Sequence, residues 1–149
     1  MHPFDLKAAL LAKHAQHVVL IHFPIALFIA GVAFDFLAQW TKQRILAAAA
    51  YCNLLAAAVA TVPVLITGIL AWQWQLEGQR LKGILLMHLV LGGASSLLIW
   101  GVCLIHLRAQ RKGGDILPGY RWPIEGLGVA LVTLTGHLGG FLSGVNLSN

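Results

Sequence analysis

Seven histidines in a chain of 149 residues are the side chains whose type and position could carry chemistry. Three of them, His22, His88 and His137, fall well inside long apolar stretches. An ionisable side chain is costly in a lipid bilayer, so each of the three is a candidate functional residue. Imidazole without neighbouring carboxylates or thiolates suits haem iron, copper or zinc. The histidines therefore predict a haem or metal site inside apolar helices.

The composition indicates that lipid surrounds the elements that carry these histidines. Apolar residues make up 58% of the chain and charged residues only 10%, whereas about a quarter of a soluble domain is charged. Crossing a bilayer takes roughly 20 apolar residues, and four such runs use most of the chain. We predict an all-α membrane protein, a single four-helix up-down transmembrane bundle over residues 1–149, with spans at about 17–40, 45–74, 82–107 and 124–145.

The predicted topology brings the three histidines to one depth. Spans one and three begin at the membrane face where span four ends, so each imidazole lies roughly 8–12 Å below that face. Spans one and three are diagonal in an up-down bundle, which makes His22 with His88 the first ligand pair and His88 with His137 the second. Gly92 and Gly140 share helix faces with two of these histidines, and we expect them to leave room for a cofactor.

Haem b suits these positions because it needs one imidazole from each of two helices and an apolar slot between them. A zinc or copper ion prefers three close nitrogens or added Cys, Met or Asp ligands, for which Met87 and His17 are the nearby candidates. His17 is a further candidate for haem iron, although a solvated position at the membrane edge is favoured for it. Hydrogen bonding between packed helices is the alternative role for these histidines.

Few other polar residues are expected deep in the spans. His106 lies five turns from His88, near the opposite membrane surface, where no other span offers a histidine. Asp35 lies about one turn inside that surface, and we predict a buried ion pair with His106, Arg44 or Arg108. The sequence suggests no charged relay, acidic ring or broken-helix repeat, which disfavours transporters, pumps and channels.

The positions of lysine and arginine predict the orientation of the chain. The formal charge is +5, and the basic residues form short clusters between apolar runs. Such clusters are typical of topology signals and lipid-headgroup contacts rather than of a nucleic-acid surface. The connections between spans one and two and between spans three and four carry more of them, Arg121 included, than the opposite side does. This bias favours both termini outside, in the periplasm of a bacterium.

Two histidine motifs resemble those of a known family. The segment HVVLIHFPIAL at 17–27 and the segment GHLGG at 136–140 are similar to HPxxVHFPIAL and GHLGG in a bacterial family of small predicted four-helix membrane proteins of unknown function. Members occur alone or joined to cytochrome c or Rieske-type modules, which implies an electron-transfer setting. Val18 stands where the family usually has proline, and the further histidine that often follows GHLGG is missing.

These observations together predict a membrane electron-transfer subunit of the bacterial inner membrane, rather than an enzyme that acts alone. It would bind haem b near the outer face and pass electrons between a quinone and a periplasmic redox partner, such as a cytochrome c or an iron–sulfur protein. One alternative is a non-catalytic subunit that anchors a larger membrane complex. Another is a membrane protein that binds copper or zinc.

Overall fold

Long α-helices make up nearly all of the chain that the structure describes. The structure is a computed structural model, and it describes residues 13–75, 78, 80–111 and 117–143. The helices in these residues, numbered in chain order, are α1 (Lys13–Leu20), α2 (His22–Thr41), α3 (Arg44–Gln75), α4 (Gly83–Arg111) and α5 (Arg121–Leu142).

Four stretches of the described chain are long and apolar enough to cross a membrane: Gln16–Thr41, Arg44–Gln73, Gly83–Arg111 and Arg121–Leu142. The predicted all-α four-helix bundle is confirmed, and the described ends of these stretches lie close to the predicted bounds. The predicted end of span four at residue 145 falls outside the described residues. No more than 28% of the most apolar stretch of any span is buried inside the protein. Most of these apolar residues therefore face outward, where they suit lipid.

The first span consists of two helices that meet at Ile21. Pro24 lies in the first turn of α2 and has no N–H to bond the carbonyl of Leu20, so the backbone ladder is interrupted here. The second proline within a span, Pro63, lies inside α3 without interrupting it. The interruption in span one separates His17, in α1, from His22, the first residue of α2.

The helices pack in a ring, in the order in which they follow one another in the chain. Helix α2 packs along α3, α3 along α4, α4 along α5, and α5 along α2, while α1 continues span one against α3. Spans one and three therefore occupy diagonal positions, as predicted. The residues of the buried core come from all four spans: Phe28, Leu54, Ala57, Ala58, Ile99, Val102, Cys103 and Val132.

Two glycines allow the helices to approach closely around this core. A Cβ atom on Gly128 would lie 2.6 Å from Cδ2 of Leu98 and 2.7 Å from Cζ of Phe28. A Cβ atom on Gly31 would lie 2.8 Å from Cγ of Leu54. Small residues at helix contacts are how membrane helices gain close packing, because lipid provides no hydrophobic driving force between them.

Polar side chains gather at the two ends of the bundle. The His17 end contains the first turns of α1 and α4 and the last turns of α3 and α5, and the Asp35 end is the opposite one. Asp35 follows His17 by eighteen residues, and His106 follows His88 by the same number. At a rise of about 1.5 Å per residue, the two ends lie ~27 Å apart along the helices.

Candidate functional site

The ring of His17 lies against the ring of His88 at the His17 end. Their centroids are 6.5 Å apart, and the ring planes are nearly perpendicular at 87°. The pair joins span one to span three across the diagonal of the bundle. Two nitrogens on opposite sides of one metal atom lie about 4 Å apart, and each ring centre lies one ring radius farther out. The separation is therefore compatible with two imidazoles that share a metal atom.

Hydrogen bonds determine which nitrogen of each ring carries the proton. His88 Nδ1 donates to the Thr135 carbonyl at 3.1 Å, because a carbonyl oxygen can only accept. His17 Nδ1 lies 3.2 Å from Thr67 Oγ1, and that hydroxyl already donates its own proton to the Pro63 carbonyl at 2.8 Å. His17 therefore donates through Nδ1 as well. In the neutral form of both rings, Nε2 then carries the lone pair that a metal atom requires.

A glycine lies against each of the two rings. A Cβ atom on Gly68 of α3 would lie 3.0 Å from Cε1 of His17, and one on Gly139 of α5 would lie 3.1 Å from Cε1 of His88. Both distances are shorter than ordinary van der Waals contact, so a larger residue at either position would displace the ring. All four spans thus contribute to the surroundings of the histidine pair.

A second hydrogen bond joins α4 to α5 next to His88. The Thr135 hydroxyl donates to the Leu131 carbonyl at 2.7 Å, so it accepts from the Ser95 hydroxyl, which lies 3.1 Å away. Gly92 belongs to the same face, because a Cβ atom there would lie 3.8 Å from the Thr135 methyl group. The small-residue face of α4 that includes His88 therefore packs against α5, and both His88 and Ser95 form hydrogen bonds to Thr135.

The other predicted ligands lie elsewhere on the bundle surface. His22 is exposed, and its Nδ1 donates to the Val18 carbonyl one turn earlier at 2.7 Å. His137 is also exposed, with its ring 4.9 Å from that of Phe141, and Gly140 is half-buried. The pairs His22–His88 and His88–His137 stay predictions, whereas the ring contact that the structure contains is between His17 and His88.

The ring contact joins the same two spans as the first predicted ligand pair, but through His17 rather than His22. Five residues correspond to about 140° around a helix, so the two side chains cannot point the same way. The ring of His17 is half-buried and bonded to Thr67, which differs from the solvated position expected for it. Hydropathy gave no sign of this, because depth in the membrane and direction around the helix are independent.

Four ionisable side chains meet at the Asp35 end. Arg121 Nε donates to Asp35 Oδ2 at 2.8 Å, and His106 Nε2 lies 3.0 Å from Glu125 Oε1. Arg121 Nε also lies 4.0 Å from Glu125 Oε1. All four side chains are at most 3% exposed, so this polar network is enclosed by the helices.

This network corrects two expectations from the sequence. The ion-pair partner of Asp35 is Arg121, which was assigned to the loop charges, and not one of the predicted residues, His106, Arg44 or Arg108. The expectation of few other polar residues in the spans missed Glu125, which is buried near the start of α5. The available signal was an arginine and a glutamate four residues apart at the start of an apolar helix, a spacing that puts both on one face.

A cavity of about 600 Å³ adjoins the network at the Asp35 end. Asp35 and His106 belong to its lining, together with the basic residues Lys42 and Arg44. The walls also include small apolar residues such as Ala47. The cavity is partly open to the surface, and Asp35 and His106 lie in the wall that it shares with the network.

Comparison with known proteins identifies one family. Residues 13–145 match the profile of a family described as "Predicted membrane protein (DUF2231)". The match includes both histidine motifs and confirms the resemblance to a small predicted membrane protein family of unknown function. No curated protein and no solved structure matches the chain.

Proposed function

The chain belongs to the DUF2231 family of predicted membrane proteins, and we propose that this member is an electron-transfer subunit that binds haem b through His17 and His88. The observation that carries the proposal is the hydrogen bonding of the two rings. Both donate through Nδ1, to Thr67 and to the Thr135 carbonyl, and this arrangement leaves Nε2 of each neutral ring as a metal ligand. Histidines that bind metals typically donate their other ring N–H in this way.

The number of ligands favours haem over a bare metal ion. A structural zinc site takes four protein ligands and a catalytic one takes three. Within the described residues, the group of three or more metal-ligating side chains lies at the Asp35 end and contains neither His17 nor His88. Haem brings ring nitrogens of its own, so His17 and His88 would suffice as the protein side chains that hold it.

The surroundings of the pair fit an embedded cofactor. Gly68 and Gly139 let the backbones of α3 and α5 come close to the imidazole rings. The hydrogen bonds to Thr67 and Thr135 fix the orientation of the rings and raise the basicity of Nε2. When bound, haem b would supply a reversible one-electron redox centre, while the protein supplies ligation and orientation.

The redox partners and the membrane side are part of the same proposal. Family members joined to cytochrome c or Rieske-type modules support an electron-transfer setting with a partner at the His17 end. The predicted orientation puts this end at the periplasmic face of the inner membrane. A membrane quinone is the proposed exchange partner within the lipid phase.

The experiment is an absorption spectrum of the full chain purified in mild detergent from haem-replete cells. We expect a Soret band and sharp α and β bands on reduction, as for six-coordinate haem b. The His17→Gln and His88→Gln variants should each lose the reduced six-coordinate spectrum. A colourless wild-type preparation would contradict the proposal.

Two matched controls test the assignment of the ligands. His22→Gln and His137→Gln change exposed histidines whose rings contact residues of their own spans, Val18 and Phe141. Both variants should keep the wild-type spectrum and haem content. Loss of the spectrum in His22→Gln together with its retention in His17→Gln would overturn the His17–His88 assignment in favour of His22.

One observation favours a second candidate, a structural subunit of a larger membrane complex. The bond from His88 to the Thr135 carbonyl joins neighbouring helices and needs no cofactor. Under this role, the wild type would show no haem spectrum. The His88→Gln variant would have a lower melting temperature than the wild type. The same spectrum and a melting curve therefore separate the two functions.

A further inference from the structure

We propose that Asp35, His106 and Glu125 form a binding site for one divalent transition-metal cation at the Asp35 end. The three residues come from α2, α4 and α5, so the site depends on the tertiary structure. It is distinct from the His17–His88 pair at the opposite end of the bundle. Nothing in the proposed electron-transfer role requires it.

The geometry brings three ligand atoms together. One atom from each of the three side chains lies within 4.8 Å of the other two. Bonds of about 2.0–2.2 Å from nitrogen and oxygen to a single ion place its ligands up to roughly 4.4 Å apart. Small side-chain rotations therefore bring all three ligand atoms within bonding distance of one cation.

Unpaired acceptors are the second observation that points to a cation. Asp35 Oδ1 and Glu125 Oε2 are buried and have no hydrogen-bond partner among the described residues. In the metal-free network the other oxygen of each carboxylate contacts Arg121 Nε or His106 Nε2, and a metal bound through Nε2 would replace the contact between His106 and Glu125. Leaving a buried charged acceptor unpaired is costly, and a cation between the carboxylates would satisfy both.

Charge balance separates a metal ion from a proton. With His106 neutral, Asp35, Glu125 and Arg121 leave one net negative charge in the network. One added proton would neutralise it, but a proton satisfies at most one of the two unpaired oxygens. A divalent cation satisfies both and leaves one positive charge, which an anionic ligand of the metal would offset.

The cavity provides access and suits such an anion. Asp35 and His106 line it, and so does the ammonium-bearing side chain of Lys42. Arg121 Nη2 is a buried donor with no partner among the described residues, and it could donate to an anion on the metal. The bond from Arg121 Nε to Asp35 Oδ2 would orient the carboxylate from outside the coordination sphere, as is usual at metal sites.

The ligand set narrows the class of metal. One imidazole and two carboxylates suit Zn²⁺, Mn²⁺ or Fe²⁺, whereas a Cu⁺ site would use sulfur ligands and a Ca²⁺ site more oxygens. Three protein ligands leave coordination positions open. Zinc is the practical probe, because it has no redox chemistry.

The test measures zinc bound to the full chain. Purified protein is stripped with a chelator, incubated with Zn²⁺ and desalted, and its zinc content and melting temperature are measured. We expect about one zinc per wild-type chain and a higher melting temperature with zinc. Asp35→Asn and Glu125→Gln should each lose stoichiometric zinc.

Two further variants and the wild type keep the result decisive. The double variant His17→Gln/His88→Gln and the single variant His22→Gln should retain one zinc, because they leave the Asp35 end intact. Loss of zinc in the double variant would place the ion at the His17 end and overturn the proposal. A folded wild type without zinc would also overturn it and would leave the network as ion pairs only. The zinc content of the wild type tests the proposed site even if the carboxylate variants fail to fold.

Discussion

The partner of Nδ1 distinguishes the histidines of this chain from one another. His22 donates to the Val18 carbonyl within its own span, and its ring is exposed on the outside of the bundle. His88 donates to a carbonyl of the neighbouring helix, and His17 donates to a threonine hydroxyl of α3. A bond to another span holds an imidazole between spans, where the proposed cofactor would lie.

The Thr67 hydroxyl provides a single-residue test of whether the partner of Nδ1 affects cofactor binding. Thr67→Val keeps the volume and removes the acceptor for His17 Nδ1. Because outer contacts of ligating histidines typically affect affinity 10–100-fold, we expect about tenfold weaker haem binding. The measurement is a haem titration of the purified apoprotein. Thr67→Ser, which keeps the hydroxyl, should bind as the wild type does, and equal affinity in Thr67→Val would contradict the role of this bond.

The buried ion pair between Asp35 and Arg121 makes a second prediction at the residue scale. Asp35→Asn leaves the guanidinium buried with its closest partner neutralised, which should lower the free energy of unfolding by about 3–5 kcal/mol. The measurement is unfolding of metal-free protein in mixed micelles.

A double-mutant cycle separates the interaction energy of the ion pair from the effect of changing either side chain alone. Arg121→Gln added to Asp35→Asn should recover part of the stability, because no unpaired charge then remains on either residue. Additive losses in the two single variants and the double variant would show that the pair is not coupled.

At the scale of elements, close approach of helices depends on a few glycines. Gly128 lies where α5 contacts both α2 and α4, since its nearest side chains are Phe28 and Leu98. Gly31 serves the same purpose between α2 and α3, where Leu54 fills the space. These contacts fix the relative positions of the spans that carry the two polar sites.

A matched pair of glycines in α5 tests this packing. Gly128→Ala puts a Cβ atom 2.6 Å from Leu98, and overpacking of this kind should cost about 1–3 kcal/mol. Gly126 is exposed, and a Cβ atom there meets nothing within 4 Å. Gly126→Ala should therefore be as stable as the wild type or more so. Equal unfolding free energies of the two variants would rule out close packing at Gly128.

At the scale of the whole molecule, the bundle has polar sites at two ends and an apolar middle. The sites lie ~27 Å apart along the helices. Charged and polar groups near the ends pay less for desolvation than they would at the bilayer centre. The buried core between the sites, from Phe28 to Val132, keeps the two sites apart.

The orientation of this molecule in the membrane is a prediction that a reporter can test. The excess of lysine and arginine in the connections at the Asp35 end predicts that this end faces the cytoplasm. A periplasm-dependent reporter fused to the C-terminus should be active, and a cytoplasm-dependent reporter at the same position should be inactive. The opposite pattern would show that the loop charges do not set the topology.

The sequence by itself determined that lipid surrounds the protein, that the chain forms spanning helices, and in what order these helices are arranged around the bundle. Apolar runs of spanning length leave few alternatives in lipid, because every backbone polar group must be bonded within its own helix. Short connections then fix an up-down bundle and put spans one and three on its diagonal. The same reasoning put His88 and Asp35 near opposite ends of the bundle.

Only the tertiary structure decided which side chains meet. The contact of His88 with His17 rather than with His22 depends on the direction of each residue around a span that is interrupted at Ile21. The pairing of Asp35 with Arg121 depends on the rotation of α5 against α2, which hydropathy does not encode. Depth follows from counting residues, whereas direction follows from how glycines and core side chains pack the helices together.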